Sequence, residues 1–358
     1  METIYRHIER IPESKHPSLQ GYNAADELLL EIIPDLTDSI SIYNDQFGFL
    51  STNLAHMQPN VVCDLKSQAS AITKNCELNR GFGLASPPLF LLDQTEFKTS
   101  VALLKIPKSL AMFEKYLEHI HQHLEDDGIV YAGFMTRYFS QGLLMSAGRY
   151  FEEIAQTKAQ KKARILILKK KKTTIPVHNW ETISYENHHL RQHQGIFSSK
   201  KIDKATLFLL DNLNQLIPEK HSNVIDLGCG NGVIASVAND LVKIDEIHLI
   251  DDSQLAIDSA KQNFDTNAKF HHAYTLDMFE EESIDWVITN PPFHFEHTID
   301  TSIAKSLFDQ AHRVLKPGAV LTIVANANLG YEPTLKQMFS EMIVHNSTSQ
   351  FNIFQCIK

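Results

Sequence analysis

The chain has little cysteine and no long apolar run. Cys63, Cys76, Cys229 and Cys356 are its four cysteines and include no C-x-x-C pair, which fits a reducing compartment and argues against structural zinc. No stretch of about 20 apolar residues is available to span a bilayer. Met1 to His7 lacks the apolar core of a secretory signal, so a cytoplasmic protein is expected. Positive charge is also in short supply. Lys and Arg number 33 against 43 Asp and Glu, a formal charge of −10, so a nucleic-acid partner requires locally concentrated lysines. Histidine is plentiful at 18 residues. Yet His188-His189, His271-His272 and the trio His119, His121 and His123 form neither H-E-x-x-H nor a Cys/His set, so no metal is expected.

What is present suffices for about two domains of roughly 150 residues each, with 43% hydrophobic residues to build their cores. Two motifs carry chemistry. Asn223 to Leu227 reads as a strand, Gly228-Cys229-Gly230-Asn231-Gly232 as a turn, and Val233 onward as a helix. Such a turn brings backbone and a helix N-terminus close to a ligand. The spacing is G-x-G-x-G rather than the dinucleotide fingerprint G-x-G-x-x-G. Asp226 precedes the first glycine; its carboxylate would repel a pyrophosphate and attract the ammonium of a methionine moiety. Asp251 ends the next strand, where it can accept both ribose hydroxyls, a feature shared with nicotinamide enzymes. The set favours S-adenosylmethionine as cofactor.

The second motif, Asn290-Pro291-Pro292-Phe293, closes the strand-like run Ile284 to Thr289. Its prolines stiffen the turn and lack N–H groups, Asn290 supplies a side-chain acceptor, and Phe293 a flat apolar face. Together they can hold a planar amine with its nitrogen facing a reagent. Strands near 224, 247, 284 and 319 alternate with helical patterns over 202–216, 255–264 and 303–315, which predicts a doubly wound, mostly parallel sheet. The closing run Phe351 to Ile357 predicts an antiparallel strand at that sheet's end.

The first half reads as an eroded copy of the second. Ser39 to Tyr43 is a strand, Asn44 to Gly48 a turn, and Phe49 starts a helix. Aligning Gly48 with Gly232 sets Ile42 opposite Asp226, Asn44 opposite Gly228, and Lys105-Ile106-Pro107-Lys108 near the place of Asn290 to Phe293. The predicted division is 1–172, a degenerate domain that binds substrate (RNA, on the resemblance given below), and 173–358, the catalytic domain. The basic run Lys169, Lys170, Lys171 and Lys172, with Lys200 and Lys201, offers the phosphate-facing surface. Asp285, Phe308 and Tyr331 read as structural residues.

These residues resemble the ribosomal RNA guanine-N2 methyltransferases (RsmC/RlmG type). The resemblance rests on Val224 to Ile234, Asn290 to His294, Ile323 to Asn326, and Gly195-Ile196-Phe197-Ser198 followed by Asp203. It implies two tandem class I methyltransferase-like (Rossmann-like) domains, the first degenerate. It also implies S-adenosylmethionine-dependent methylation of a guanine N2 amine in 16S or 23S RNA, on free RNA or a subunit assembly intermediate, by a monomer. Cofactor contacts fall to Asp226, Gly228, Gly230, Gly232, Asp251, Tyr274 and Asn290, with Tyr274 or Asp277 at the adenine. Methylation of adenine N6 or a glutamine amide, or a non-catalytic assembly factor on the same fold, are the competing readings.

Overall fold

The computed structural model describes residues 7–10, 20–33, 39–79, 83–176, 180–197, 201–264, 267–291 and 301–358. It divides into two units, Met1–Asn179 and Trp180–Lys358. In the first, β1 (Ile40–Tyr43), β2 (Asn60–Cys63), β3 (Leu89–Phe90), β4 (Thr99–Lys105), β5 (Leu124–Met135), β6 (Phe151–Gln156) and β7 (Ala163–Lys171) form one sheet in the order β3-β2-β1-β4-β5-β7-β6. It is flanked by α1 (Ala24–Glu31), α2 (Phe49–Asn53), α3 (Lys66–Leu78), α4 (Leu110–His123) and α5 (Gln141–Ala147).

The second unit opens with a two-stranded hairpin, β8 (Glu181–Tyr185) and β9 (His188–Gln192), and α6 (Lys204–Leu210). Its main sheet contains β10 (Asn223–Leu227), β11 (Glu246–Asp251), β12 (Ala268–His272), β13 (Ile284–Thr289), β14 (Leu315–Asn326), β15 (Glu341–Ser347) and β16 (Phe351–Ile357). They run β12-β11-β10-β13-β14-β16-β15, the order of the first sheet over again. The helices are α7 (Val233–Leu241), α8 (Gln254–Lys261), α9 (Thr301–Val314) and α10 (Glu332–Met338). β16 is antiparallel as expected, but it lies between β14 and β15. The edge falls to β15, which is exposed along nearly its whole length, Ile343 and Val344 included, and so has no buried face to detect in sequence.

Strand alternation sorts the core of the second unit onto two faces. Val224, Trp286 and Val324 pack with α6 and α7, whereas Ile225, Val287 and Leu321 pack with α9 and α10. Asp226 falls on the α7 side by the same alternation, and this carries its carboxylate beneath that helix. Phe308 and Tyr331 meet edge to face at 5.2 Å inside the second cluster, and Asp285 binds Asn223 N at 3.0 Å and Lys316 Nζ at 2.8 Å. All three are structural, as read.

Candidate active site

Pairing registers, which owe nothing to sequence alignment, equate the two halves. Asp226 lies between Leu249 and Ile288, and Ile42 between Val61 and Leu103. One step further, Leu227 pairs with Ile250 and Thr289 where Tyr43 pairs with Val62 and Leu104. The next residues therefore match: Cys63 stands where Asp251 does, and Lys105 where Asn290 does.

In the second half the strand ends build an open cradle. Gly228, Gly230 and Gly232 have φ of 75°, 55° and 84°, the left-handed region that glycine enters without strain. At Gly232 space matters as well, since a Cβ would sit 2.8 Å from Phe264 Cε2. Around Gly230 a Cβ would meet nothing within 4 Å, and at Gly228 only Asn290 O at 3.9 Å. Asp251 folds over the turn. One oxygen accepts from Gly230 N at 2.9 Å and the other from Ser253 N at 2.9 Å. Burial pushes its pKa up to about 6 against these hydrogen bonds.

Asp226 is fully buried, and its Oδ2 accepts from Ala235 N at 3.1 Å, holding the first turn of α7. Its Oδ1 has no hydrogen-bond partner among the described residues. Desolvation raises its pKa to about 7, with Asp251 adding to the rise. Asn290 presents the same pattern. Its Nδ2 donates to Thr206 Oγ1 at 2.9 Å and to Asp203 Oδ2 at 3.3 Å, and its Oδ1 is enclosed without a partner among the described residues. Unpaired enclosed oxygens are costly unless a ligand meets them. Here are two, at the carboxyl ends of neighbouring strands, beside space that Gly228 and Gly230 leave open. The residues fit a ligand that carries an ammonium and a second that carries an amine.

Pro291 is buried directly after Asn290, and Tyr274, half-buried, follows the carboxyl end of β12. Pro292, Phe293, His294 and Lys200 lie outside the described residues. Sequence reasoning missed Thr206, and read Asp203 only as part of a segment. It also missed Gln192, whose Oε1 accepts from Asn231 Nδ2 at 2.7 Å and ties the β8–β9 hairpin to the glycine turn. Their contacts with the motifs span tens of residues in sequence, so local patterns carry no trace of them.

The first half has closed the corresponding space with its own side chains. Asn44 takes the left-handed φ of 58° in the place of Gly228, and its Nδ2 donates to Lys105 O at 2.8 Å while Gln68 binds its Oδ1 at 3.2 Å. Lys105 forms an ion pair with Asp26, which is itself buried. With Ile42 at the position of Asp226, the helix-holding carboxylate has moved to Asp45, whose Oδ2 accepts from Ser51 N at 2.7 Å.

The lysine run is less free than its sequence suggests. Lys170 pairs with Glu153 at 2.5 Å. Lys171 Nζ donates to Leu124 O at 2.6 Å with Asp126 at 3.2 Å, and Lys172 Nζ donates to Gly148 O at 2.5 Å. Lys169 and Lys201 are exposed. Among the described residues no group of histidines, cysteines or carboxylates is arranged to hold a metal.

Comparison with known proteins agrees with this geometry. Residues 2–173 match the RLMG N-terminal domain and residues 187–355 the methyltransferase small domain. The ribosomal RNA large subunit methyltransferase G of Shewanella loihica is 30% identical over 98% of this chain and 92% of its own length. The one from Shewanella amazonensis is 30% identical over 98% and 96%. This chain belongs to that methyltransferase family. Among solved structures, the T. thermophilus 16S rRNA guanine-N2 methyltransferase RsmC, in complex with AdoMet and guanosine, matches with a TM-score of 0.78 and 20% identity. That match covers 96% of this chain and 94% of the other, so the family's fold is two tandem class I methyltransferase-like domains. The first of them is degenerate.

Proposed function

We propose that the chain transfers a methyl group from S-adenosylmethionine to the exocyclic N2 of a guanine in large-subunit ribosomal RNA. The observation that carries this is the pair of enclosed oxygens without a partner among the described residues, Asp226 Oδ1 and Asn290 Oδ1, at the carboxyl ends of neighbouring strands beside the glycine turn. The names of the large-subunit relatives support the 23S substrate over the 16S one.

The cofactor supplies a methyl on a sulfonium, an electrophile that needs positioning more than activation. Asp226 would attract its ammonium and Asp251 its ribose hydroxyls, while Gly228 and Gly230 leave room for its backbone approach. Tyr274 or Asp277 would face its adenine. The guanine amine is a poor nucleophile because its lone pair is delocalised into the ring. Asn290 Oδ1 and the Pro291 carbonyl would each accept one N–H, turning the lone pair toward the methyl, and Phe293 would stack on the base. With the cofactor bound, the N–C bond would form as the C–S bond broke, the sulfur keeping the electron pair, and the N2 proton would leave to water. No carboxylate base is required. The guanine must be unpaired or flipped, because its amine otherwise lies in the pairing edge.

The first unit serves as an RNA-holding platform, with Lys169 and Lys170 toward phosphates and Lys171 and Lys172 pinning the end of their own hairpin, while Lys200 and Lys201 would add phosphate contacts from the second unit. A ribosomal substrate supports a cytoplasmic location. Mapping methylated guanines in ribosomal RNA from a deletion strain tests the whole reading: one large-subunit N2 site should lose its methyl. An unchanged map would refute it.

A further inference from the structure

We infer that Asp203 and Thr206, at the start of α6, are positioning residues that fix the orientation of the Asn290 amide; this rests on the proposed methyl transfer. An amide has two faces of similar shape, and only the oxygen face can accept from a substrate amine. Asp203 Oδ2 already accepts from Ala205 N at 2.9 Å and Thr206 N at 3.3 Å, so what it offers Asn290 is again an acceptor. Thr206 Oγ1 takes the remaining Nδ2 proton at 2.9 Å. Both N–H groups are thereby used on the helix, and Oδ1 is the one amide atom left for a ligand. A flipped amide would set two oxygens against each other and point its donors at the amine.

The eroded half supports the assignment independently. Asn23 caps α1 as Asp203 caps α6, so Asp26, three residues past its cap, occupies the position of Thr206. The residue it meets is Lys105, the counterpart of Asn290. Helix and strand partners have changed together. The amide–hydroxyl pair that leaves an oxygen free became an ion pair whose ammonium has donors and no acceptor. Loss of the substrate acceptor went with loss of the residue that aims it.

The test uses the full-length chain and two variants that keep the fold. Asp203→Asn keeps a good helix cap yet can donate to Asn290 Oδ1, and Thr206→Val keeps the shape without the acceptor. With ribosomal RNA and S-adenosylmethionine, each should lower kcat about 10- to 100-fold, the scale of losing a positioned hydrogen bond in a transition state. Cofactor Kd and RNA KM should stay within about 3-fold, and Thr206→Ser should recover most of the loss. Unchanged kcat in both variants would overturn the inference, as would a loss that Thr206→Ser does not relieve. A second readout needs no RNA. In chain labelled with ¹⁵N-asparagine, with Asn290 assigned by its replacement, the side-chain amide protons should exchange slowly, and fast in both variants. Equal exchange in all three would refute the orientation even if methyl transfer itself were disproved.

Discussion

At the scale of single residues, the site is defined by atoms left without partners. Asn290→Ala removes the acceptor for the amine and nothing that the cofactor's ammonium or ribose meets. Methyl transfer should fall about 10²- to 10³-fold, by analogy with removal of one oxyanion-hole donor. Calorimetry should show cofactor affinity within a few-fold of wild type. Turnover near wild type would reduce the motif to a stiff turn. Asp226 makes a prediction about pH. Its pKa of about 7 means that the free chain holds a proton there below neutrality. An ammonium ligand favours the ionised form, so cofactor affinity should rise with pH through about 7. The free fold behaves oppositely. A raised carboxylate pKa contributes stability below the unfolded value near 4 that is lost as pH climbs through the folded one. Asp226→Asn should flatten the affinity profile between about pH 6 and pH 8, and an unaltered slope would move the titration to another group.

At the scale of elements, the hairpin of β6 and β7 separates two roles that the sequence presents as one basic run. Lys169 and Lys170 reach solvent, Lys170 while paired with Glu153, whereas Lys171 and Lys172 bond the carbonyls of Leu124 and Gly148. Lys169→Gln with Lys170→Gln should weaken RNA binding and lower the log–log salt slope by about 0.7–0.9 for each phosphate no longer neutralised. Lys171→Gln with Lys172→Gln should instead lower the melting temperature and leave that slope alone. Filter binding across a salt series, beside thermal melts, separates the pairs; a shared effect would erase the distinction. How far such elements could be read in advance depended on periodicity. β10, β13 and the glycine turn were legible because strand, turn and helix signals are contiguous. β8 and β9 were not, since Glu181 to Gln192 is mostly half-buried or exposed and alternates weakly. The contacts of Asn290 with α6 were illegible for another reason, being made across 84 and 87 residues.

At the scale of the whole molecule, the two sheets repeat one strand order while only one retains an open cradle. Titration of the full chain with S-adenosylmethionine should saturate at one equivalent, because Asn44 and Gln68 fill the other cradle and Ile42 and Cys63 replace both acids there. A second equivalent of comparable affinity would contradict the decay of the first copy. The erosion itself was legible from Gly48 and Lys105, but not how the vacancy was filled, since Asp26, Asn44 and Gln68 look like ordinary surface polar residues until the fold brings them together.

The ion pair of Lys105 with Asp26 has a thermal consequence. It makes the first half its own ligand: the Lys105 ammonium, standing in the place of Asn290, keeps its partner at all times, with no small molecule to wait for. The second half keeps Asp226 Oδ1 and Asn290 Oδ1 unsatisfied until something arrives. Heating should therefore divide the chain into a part indifferent to its surroundings and a part that senses metabolite supply. Cofactor at about 100 times its Kd should stabilise the second by about 2.7 kcal/mol, moving the calorimetric transition of that half alone. The duplicate that stopped doing chemistry would then be the one whose persistence does not depend on the cell's store of activated methyl groups.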